Sequence, residues 1–209
     1  MQPETPALSV SDMEGETALE RPEITAYTYP WATIASCSDV GLVRSKNDDR
    51  LLVKAWPNDE ALLLVVADGL GGSQSGGLAA ELACATLAQL VEKPLPQTPK
   101  ARYEALVEGF YAADQVILTE GGKSFQTLGM GCTAVAAIVT PQDYVHLYAG
   151  DSRLYHIRSG QVLYRSRDHS IVELLLASGR ITEAEIPKHP MRSVVNSCLG
   201  GNRSSEHFT

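Results

Sequence analysis

An α+β fold is predicted, in which two antiparallel β-sheets pack as a sandwich flanked by helices. Two observations predict it: strand-like segments follow one another across short turns, and a pair of helical segments interrupts them near the middle of the chain. The 209 residues are 44% hydrophobic, which is enough to bury the core of one ordinary domain. We place this domain at residues 31–209.

Residues 1–30 are expected to form a disordered acidic leader. Pro3, Pro6 and Pro22 interrupt the segment, and Arg21 is its only basic residue. A segment dominated by proline and by charges of one sign cannot bury enough apolar surface to fold. An ordered strand is expected only from about Trp31 onward. The acidic residues of the segment are Glu4, Asp12, Glu14, Glu16, Glu20 and Glu23.

The first half of the domain is predicted to contain three strands followed by two helices. An apolar run at residues 61–67 has the length of a buried strand and leads directly into a glycine-rich loop at residues 68–77. Closely spaced alanines and apolar residues at helical spacing predict the two helices. The strands are placed at residues 32–38, 50–54 and 61–67, and the helices at residues 77–92 and 101–119.

Strands dominate the second half, where turns rich in proline, glycine and polar residues separate short apolar runs. A further helix is predicted to follow residues 168–170 and to end near Ser178-Gly179, because glycine commonly terminates a helix. The strands of this half are placed at residues 133–139, 144–149, 153–157 and 161–164.

The charge balance argues against several classes of function. A net charge of -8 lacks the basic surface with which a nucleic-acid-binding protein displaces counterions from phosphates. The sequence shows no apolar run long enough to cross a membrane and no signal-peptide pattern. We therefore expect a cytoplasmic monomer without nucleic-acid or membrane partners. The four cysteines, expected to be reduced core residues, are Cys37, Cys84, Cys132 and Cys198.

Four aspartates stand beside turns and strand ends: Asp48, Asp49, Asp68 and Asp151. A carboxylate next to a core requires a cation, an arginine or several backbone donors. Oxygen ligands of this kind suit hard cations such as Mg²⁺ or Mn²⁺. Any single aspartate beside glycine is more readily explained as a turn cap. The four together favour a metal site.

Six short motifs follow one another along the sequence. They are Gly41-Leu-Val-Arg44-Ser-Lys-Asn47-Asp48-Asp49, Ala67-Asp68-Gly69-Leu-Gly71-Gly72, Gly131-Cys-Thr133, Ala149-Gly150-Asp151-Ser152-Arg153, Asp168-His169-Ser170 and Cys198-Leu-Gly200. In their order and approximate spacing they resemble the motifs of the PPM-type (type 2C) metal-dependent protein serine/threonine phosphatases of bacterial type, and the similarity covers about residues 34–200.

The resemblance implies a centre of two Mg²⁺ or Mn²⁺ ions whose bridging water attacks phosphorus. Asp68 corresponds to the bridging ligand and the Gly69 carbonyl to a ligand of one ion. Asp48 corresponds to a further acid of the metal site, often reached through water. Asp49 resembles the neighbouring acid that supports the ligands from behind. Asp151 resembles the acid associated with a third, more weakly held ion.

Arg44 corresponds to the arginine that grips the substrate phosphate, a role suited to its planar and permanently charged guanidinium. The resemblance therefore implies hydrolysis of phosphoserine and phosphothreonine on proteins, opposing a serine/threonine kinase. His169, Ser170, Arg153 and Asp168 are interpreted as structural.

The sequence departs from the family pattern in three ways. Asp48 replaces a glutamate, and Leu70 replaces the histidine that serves many eukaryotic members as a proposed general acid. After Asp151 the sequence shows neither Ser-Asp-Gly nor Gly-x-x-Asp-Asn, each of which supplies a metal-binding aspartate in the family. We therefore expect a domain that is incomplete at its C-terminus, lacks its last strands and is weakly active or inactive. The alternative function is a pseudophosphatase that binds phosphoproteins.

Overall fold

A computed structural model describes residues 22–70 and 75–201. Within these residues, nine strands and three α-helices follow one another along the chain. The strands are β1 (Glu23–Tyr29), β2 (Ala32–Ser38), β3 (Asp49–Ala55), β4 (Leu62–Leu70), β5 (Gly131–Val139), β6 (Tyr144–Ala149), β7 (Tyr155–Arg158), β8 (Gln161–Arg165) and β9 (Leu199–Gly200). The helices are α1 (Gly76–Ala88), α2 (Pro99–Gly121) and α3 (Ile171–Ala177).

The central layer is an antiparallel sheet in the order β3-β4-β5-β6, with the short β9 added beside β5. β4 and β5 pair over their whole lengths, from Leu62 opposite Val139 to Leu70 opposite Gly131. β4 is rich in leucine and valine, and β5 consists largely of small and β-branched residues, a composition that suits a sheet covered on at least one face. The predicted α+β class is confirmed.

Helices α1 and α2 cover one face of this sheet. α1 is rich in alanine, so that Ala79, Ala80 and Ala83 are buried and the helix axis approaches the strands closely. α2 begins at Pro99, and the Thr98 hydroxyl accepts a hydrogen bond from Ala101 N at 3.2 Å, which caps the helix. The main hydrophobic core therefore lies between the two helices and the sheet.

The opposite face of the sheet borders an apolar groove of about 580 Å³. β2 and β7, which belong to the two separate hairpins β1–β2 and β7–β8, line the groove together with the sheet. Leu51, Leu64 and Val135 contribute to its floor. Val66, from the same face, is 49% exposed. The second layer within the described residues thus consists of two hairpins beside an open apolar surface.

Two expectations are corrected by these elements. Residues 23–29, assigned to the disordered leader, form β1, because their β-branched and aromatic residues pair in full register with β2 across a short turn. Residues 1–21 lie outside the described part of the chain. Cys37, expected in the core, is exposed, whereas Cys84, Cys132 and Cys198 are buried and form no disulfide with one another. No helix in residues 22–70 and 75–201 is long and apolar enough to cross a membrane.

Candidate metal centre

Asp49, Asp68 and Thr133 form a row across three neighbouring strands. Asp49 starts β3 and lies opposite Asp68 of β4, and Asp68 lies opposite Thr133 of β5. Because side chains directly opposite one another in a sheet share a face, the three project from the groove side. Strand register therefore places Asp49 and Asp68, which are 19 positions apart in the sequence, directly beside each other.

Asp68 is the electrostatic focus of this row. Partial burial of its carboxyl group raises its pKa to about 6, and the negative charge of Asp49, a hydrogen bond with Asp49 and the charge of Asp151 act in the same direction. The positive charge of Arg44 acts in the opposite direction. Four of the predicted site residues therefore lie within electrostatic reach of one another.

Replacing Asp68 with asparagine is expected to stabilise the metal-free chain above pH 6. A raised pKa in the folded state means that ionisation of Asp68 opposes folding. This cost begins as the pH rises past the ordinary carboxyl pKa of 3.8 and is complete above pH 6. After allowance for solvent screening of a half-buried group, Asp68→Asn should gain about 1 kcal/mol at pH 8 and clearly less at pH 4.5. Urea unfolding in EDTA measures both values.

The exposed Asp39 provides the matched control, since Asp39→Asn makes the same chemical change and preserves the oxygen that accepts a hydrogen bond from Gly41 N. Its effect on the free energy of unfolding should be small, because the side chain is exposed. Equal effects of Asp68→Asn at pH 8 and pH 4.5 would show that Asp68 ionises in the folded chain as it does in the unfolded chain.

Asp48 projects to the other side of the sheet, toward the start of α1. Its Oδ1 lies only 2.7 Å from the position that a Cβ on Gly77 would occupy, so a side chain at position 77 would displace the Asp48 carboxylate. This buried oxygen accepts no hydrogen bond within the described residues, although Lys46 Nζ lies 3.1 Å away. A carboxylate oxygen left in this state is suited to a cation or a metal-bound water.

Gly69 allows the close approach of β4 and the start of α1. A Cβ at Gly69 would lie 2.3 Å from the carbonyl carbon of Gly76 and 2.4 Å from its oxygen, distances that no side chain can adopt. The two backbones are therefore in direct contact immediately after Asp68. The predicted role of the Gly69 carbonyl concerns this end of β4, and residues 71–74, which follow it, lie outside the described part of the chain.

Asp151 follows β6 in a turn that is fixed on β5. Gly150 has φ +103°, a conformation that favours glycine, and a Cβ there would lie 2.5 Å from the Thr133 side chain. The hydroxyl groups of Thr133 and Ser152 are hydrogen-bonded at 2.6 Å. Thr133, which lies beside Asp68, therefore also supports the turn that carries Asp151.

The acids of this centre lie close together without forming a closed cage. Within residues 22–70 and 75–201, no three His, Cys, Asp or Glu side chains converge tightly enough to hold a metal ion by themselves. Three features nevertheless suit a hard divalent cation: the raised pKa of Asp68, the buried Asp48 oxygen, which accepts no hydrogen bond within the described residues and is paired with the Lys46 ammonium group, and an all-oxygen donor set. The residues present therefore fit Mg²⁺ or Mn²⁺ as part of a coordination shell.

Several residues that shape the centre were not predicted from the sequence. The motif Gly131-Cys-Thr133 predicts no role for Thr133, and the sequence around Gly77 predicts only the start of a helix. The two hydrogen bonds of Arg153 to Asp168, at 2.7 and 2.5 Å, match the structural role expected for that pair. The glycine before Asp151 and the threonine after Gly131-Cys132 are the signals that could have indicated this packing.

The protein-family model described as protein phosphatase 2C matches residues 42–175, which is more than half of the chain and includes Asp48, Asp49, Asp68 and Asp151. This chain is a member of the protein phosphatase 2C family. Curated relatives agree with this assignment. A protein phosphatase 2C-type protein of Streptococcus pyogenes is 30% identical over 165 residues, which are 78% of this chain and 65% of that protein.

The serine/threonine protein phosphatase PstP of Mycobacterium tuberculosis is 33% identical over 175 residues, which are 84% of this protein phosphatase 2C chain and 32% of PstP. A crystal structure of the catalytic domain of PstP in complex with two manganese ions superposes with a TM-score of 0.66 at 25% identity, covering 90% of this chain and 70% of that one. The chain thus spans less than two thirds of these curated relatives, and both layers of its fold are those of the protein phosphatase 2C family.

Proposed function

We propose that this chain hydrolyses phosphoserine and phosphothreonine on proteins with the help of bound Mg²⁺ or Mn²⁺. The observation that carries the proposal is the half-buried Asp68 carboxylate, on which two further carboxylates and one guanidinium act electrostatically. A site that gathers acids around one position and places an arginine near them suits a phosphate ester held against divalent cations.

Asp68 would contribute the central ligand, with Asp48 on the helix side of the sheet and Asp151 on the groove side. The Gly69 carbonyl would act as a backbone ligand, and Asp49 would keep the Asp68 carboxylate oriented through their hydrogen bond. We propose two ions and a third, more weakly held one at Asp151. Their positive charge would activate water and offset the negative charge of the phosphate.

Arg44 would bind the phosphate oxygens of the substrate. The residue is exposed in the loop before β3, and its charge reaches Asp68, so its guanidinium is placed to act on a ligand at the same centre. A planar guanidinium can donate two parallel hydrogen bonds to a phosphate. Leu70 has no ionisable group, so the proton for the departing serine or threonine oxygen would come from solvent.

The partners follow from this chemistry. Phosphorylated proteins would be the substrates, and a serine/threonine kinase would supply them, because each phosphoester that the chain hydrolyses must first be formed by phosphoryl transfer. We further propose a cytoplasmic location and a monomeric state. The net charge of -8 is consistent with a protein that recruits cations and not nucleic acids.

Removal of metal tests the proposal. The 209-residue chain is incubated with a phosphothreonine peptide, and phosphate release is followed with Mn²⁺, with EDTA, and with Mn²⁺ restored in excess of EDTA. We expect release with Mn²⁺, its loss in EDTA and its recovery on restoration, because the carboxylates require the cation to bind a phosphate. A phosphotyrosine peptide serves as the substrate control.

Two results would contradict the proposal. Phosphate release that continues in EDTA would indicate chemistry that does not use this centre. No release at saturating Mn²⁺ from a chain that circular dichroism shows to be folded would indicate that the centre does not support hydrolysis.

A further inference from the structure

The turn that carries Asp151 is attached to the segment before α3 by backbone pairing. Leu154 and Ser166 exchange two hydrogen bonds, from Ser166 N to Leu154 O at 3.0 Å and from Leu154 N to Ser166 Oγ at 2.9 Å. At the other end of the turn, His169 N donates to Gly150 O at 2.9 Å. The two segments therefore hold each other along the whole of residues 150–154.

One residue satisfies both backbone polar groups of Gly150. His169 Nδ1 accepts a hydrogen bond from Gly150 N at 3.3 Å, while His169 N donates to the carbonyl oxygen of the same glycine. Gly150 has φ +103°, and glycine adopts many other conformations at no steric cost. An interaction that fixes both of its peptide groups therefore determines the direction in which the chain enters Asp151.

The ring of His169 is itself held in place. It stacks on Tyr148 with ring centroids 4.6 Å apart and an angle of 22° between the planes. The Tyr148 hydroxyl accepts a hydrogen bond from Arg167 N at 3.2 Å, and His169 O accepts one from Asn196 N at 2.8 Å. Burial lowers the pKa of His169, which favours the neutral ring whose Nδ1 can accept a hydrogen bond.

We propose that His169 is a positioning residue for Asp151: by fixing the Gly150 peptide, it keeps the Asp151 carboxylate beside Asp68 and thereby sets the affinity of the site for divalent cations. The inference rests on the proposed function, because it takes Asp151 as a metal ligand. It replaces the purely structural role expected for His169 from the sequence. A structural role alone would affect stability and leave cation affinity unchanged.

Three variants separate these roles. His169→Phe keeps a ring on Tyr148 and removes the acceptor, whereas His169→Asn loses the ring and keeps an acceptor oxygen near the position of Nδ1. His146→Phe is the matched control. His146 also stacks on Tyr148, with centroids 6.3 Å apart, and is hydrogen-bonded to the Tyr164 hydroxyl at 3.0 Å, but it makes no described contact with Gly150.

The first measurement is hydrogen–deuterium exchange of a peptide covering residues 149–154 in EDTA. Faster exchange is expected in His169→Phe but not in His146→Phe, because only His169 accepts a hydrogen bond from Gly150 N. The second measurement is Mn²⁺ binding, which is monitored through the electron paramagnetic resonance signal of the free ion. His169→Phe should weaken the weakest class of bound Mn²⁺ by about tenfold, as expected when a group that orients a ligand is removed. His169→Asn should retain most of the affinity.

A double variant completes the test. If His169 acts through Asp151, Asp151→Asn alone should weaken Mn²⁺ binding, and adding His169→Phe should cause no further loss. Additive losses overturn the inference, as does unchanged Mn²⁺ affinity in His169→Phe whether or not exchange becomes faster. Failure of the unaltered chain to bind Mn²⁺ overturns the metal site of the proposed function, and this inference with it. The variant results overturn this inference alone, so the two failures can be distinguished.

Discussion

Asp68→Asn is expected to reduce Mn²⁺-dependent hydrolysis by roughly a thousandfold, equivalent to about 4 kcal/mol of transition-state stabilisation. The amide has nearly the same shape as the carboxylate but carries no charge, so it cannot hold divalent cations at the centre of the site. The assay is phosphate release from the phosphothreonine peptide over a range of Mn²⁺ concentrations.

The exposed Asp39→Asn variant again serves as the control and should retain the activity of the unaltered chain. Restoration of Asp68→Asn to normal turnover by high Mn²⁺ would contradict the central role of Asp68. Because the same substitution should stabilise the metal-free chain at pH 8, loss of activity could not be attributed to unfolding. A gain in stability with a loss of turnover is the behaviour expected of a residue selected for function.

Gly69→Ala is expected to lower the free energy of unfolding by about 3 kcal/mol or more, a large part of the stability of an ordinary domain. The added methyl group would lie 2.3 Å from the carbonyl carbon of Gly76, and both contacting groups are backbone. No side-chain rotation can relieve such a contact, so β4 and the start of α1 would have to separate.

Gly122→Ala is the matched control, because a Cβ at Gly122 would meet its nearest described neighbour, Leu118 O, at an ordinary distance of 3.6 Å. Urea unfolding monitored by circular dichroism compares the two variants in EDTA, so that cation binding does not enter. Similar midpoints for Gly69→Ala and Gly122→Ala would show that the two backbones do not lie as close as described.

Much of the fold could be predicted because its elements have strong local signals. β2 was placed at its observed bounds, and β4 and β5 were recognised as apolar runs of strand length. β1 was missed because the composition of residues 1–30 was judged as a whole. Its own residues, from Ile24 to Tyr29, include the threonines and tyrosines typical of strands, and they pair locally with β2.

The arrangement of the candidate site was harder to predict from the sequence. Motif resemblance named the acids, but their distribution over the two faces of the sheet follows from register and alternation, which a list of motifs does not contain. The contact between His169 and Gly150 joins positions 19 apart without any periodic pattern. The packing of Thr133 under Gly150 is equally non-local.

The adjacent Asp48 and Asp49 place one carboxylate on each face of the central sheet, since Asp48 faces α1 and Asp49 faces the groove. Loss of the Lys54 codon would, if β3 kept its pairing at Ala55, move every earlier residue of the strand to the opposite face and turn Leu51 and Val53 toward the helices. Loss of one codon in the exposed loop at residues 41–46 would leave that alternation intact. Reading-frame-preserving deletions should therefore be tolerated very unevenly on the two sides of this dipeptide.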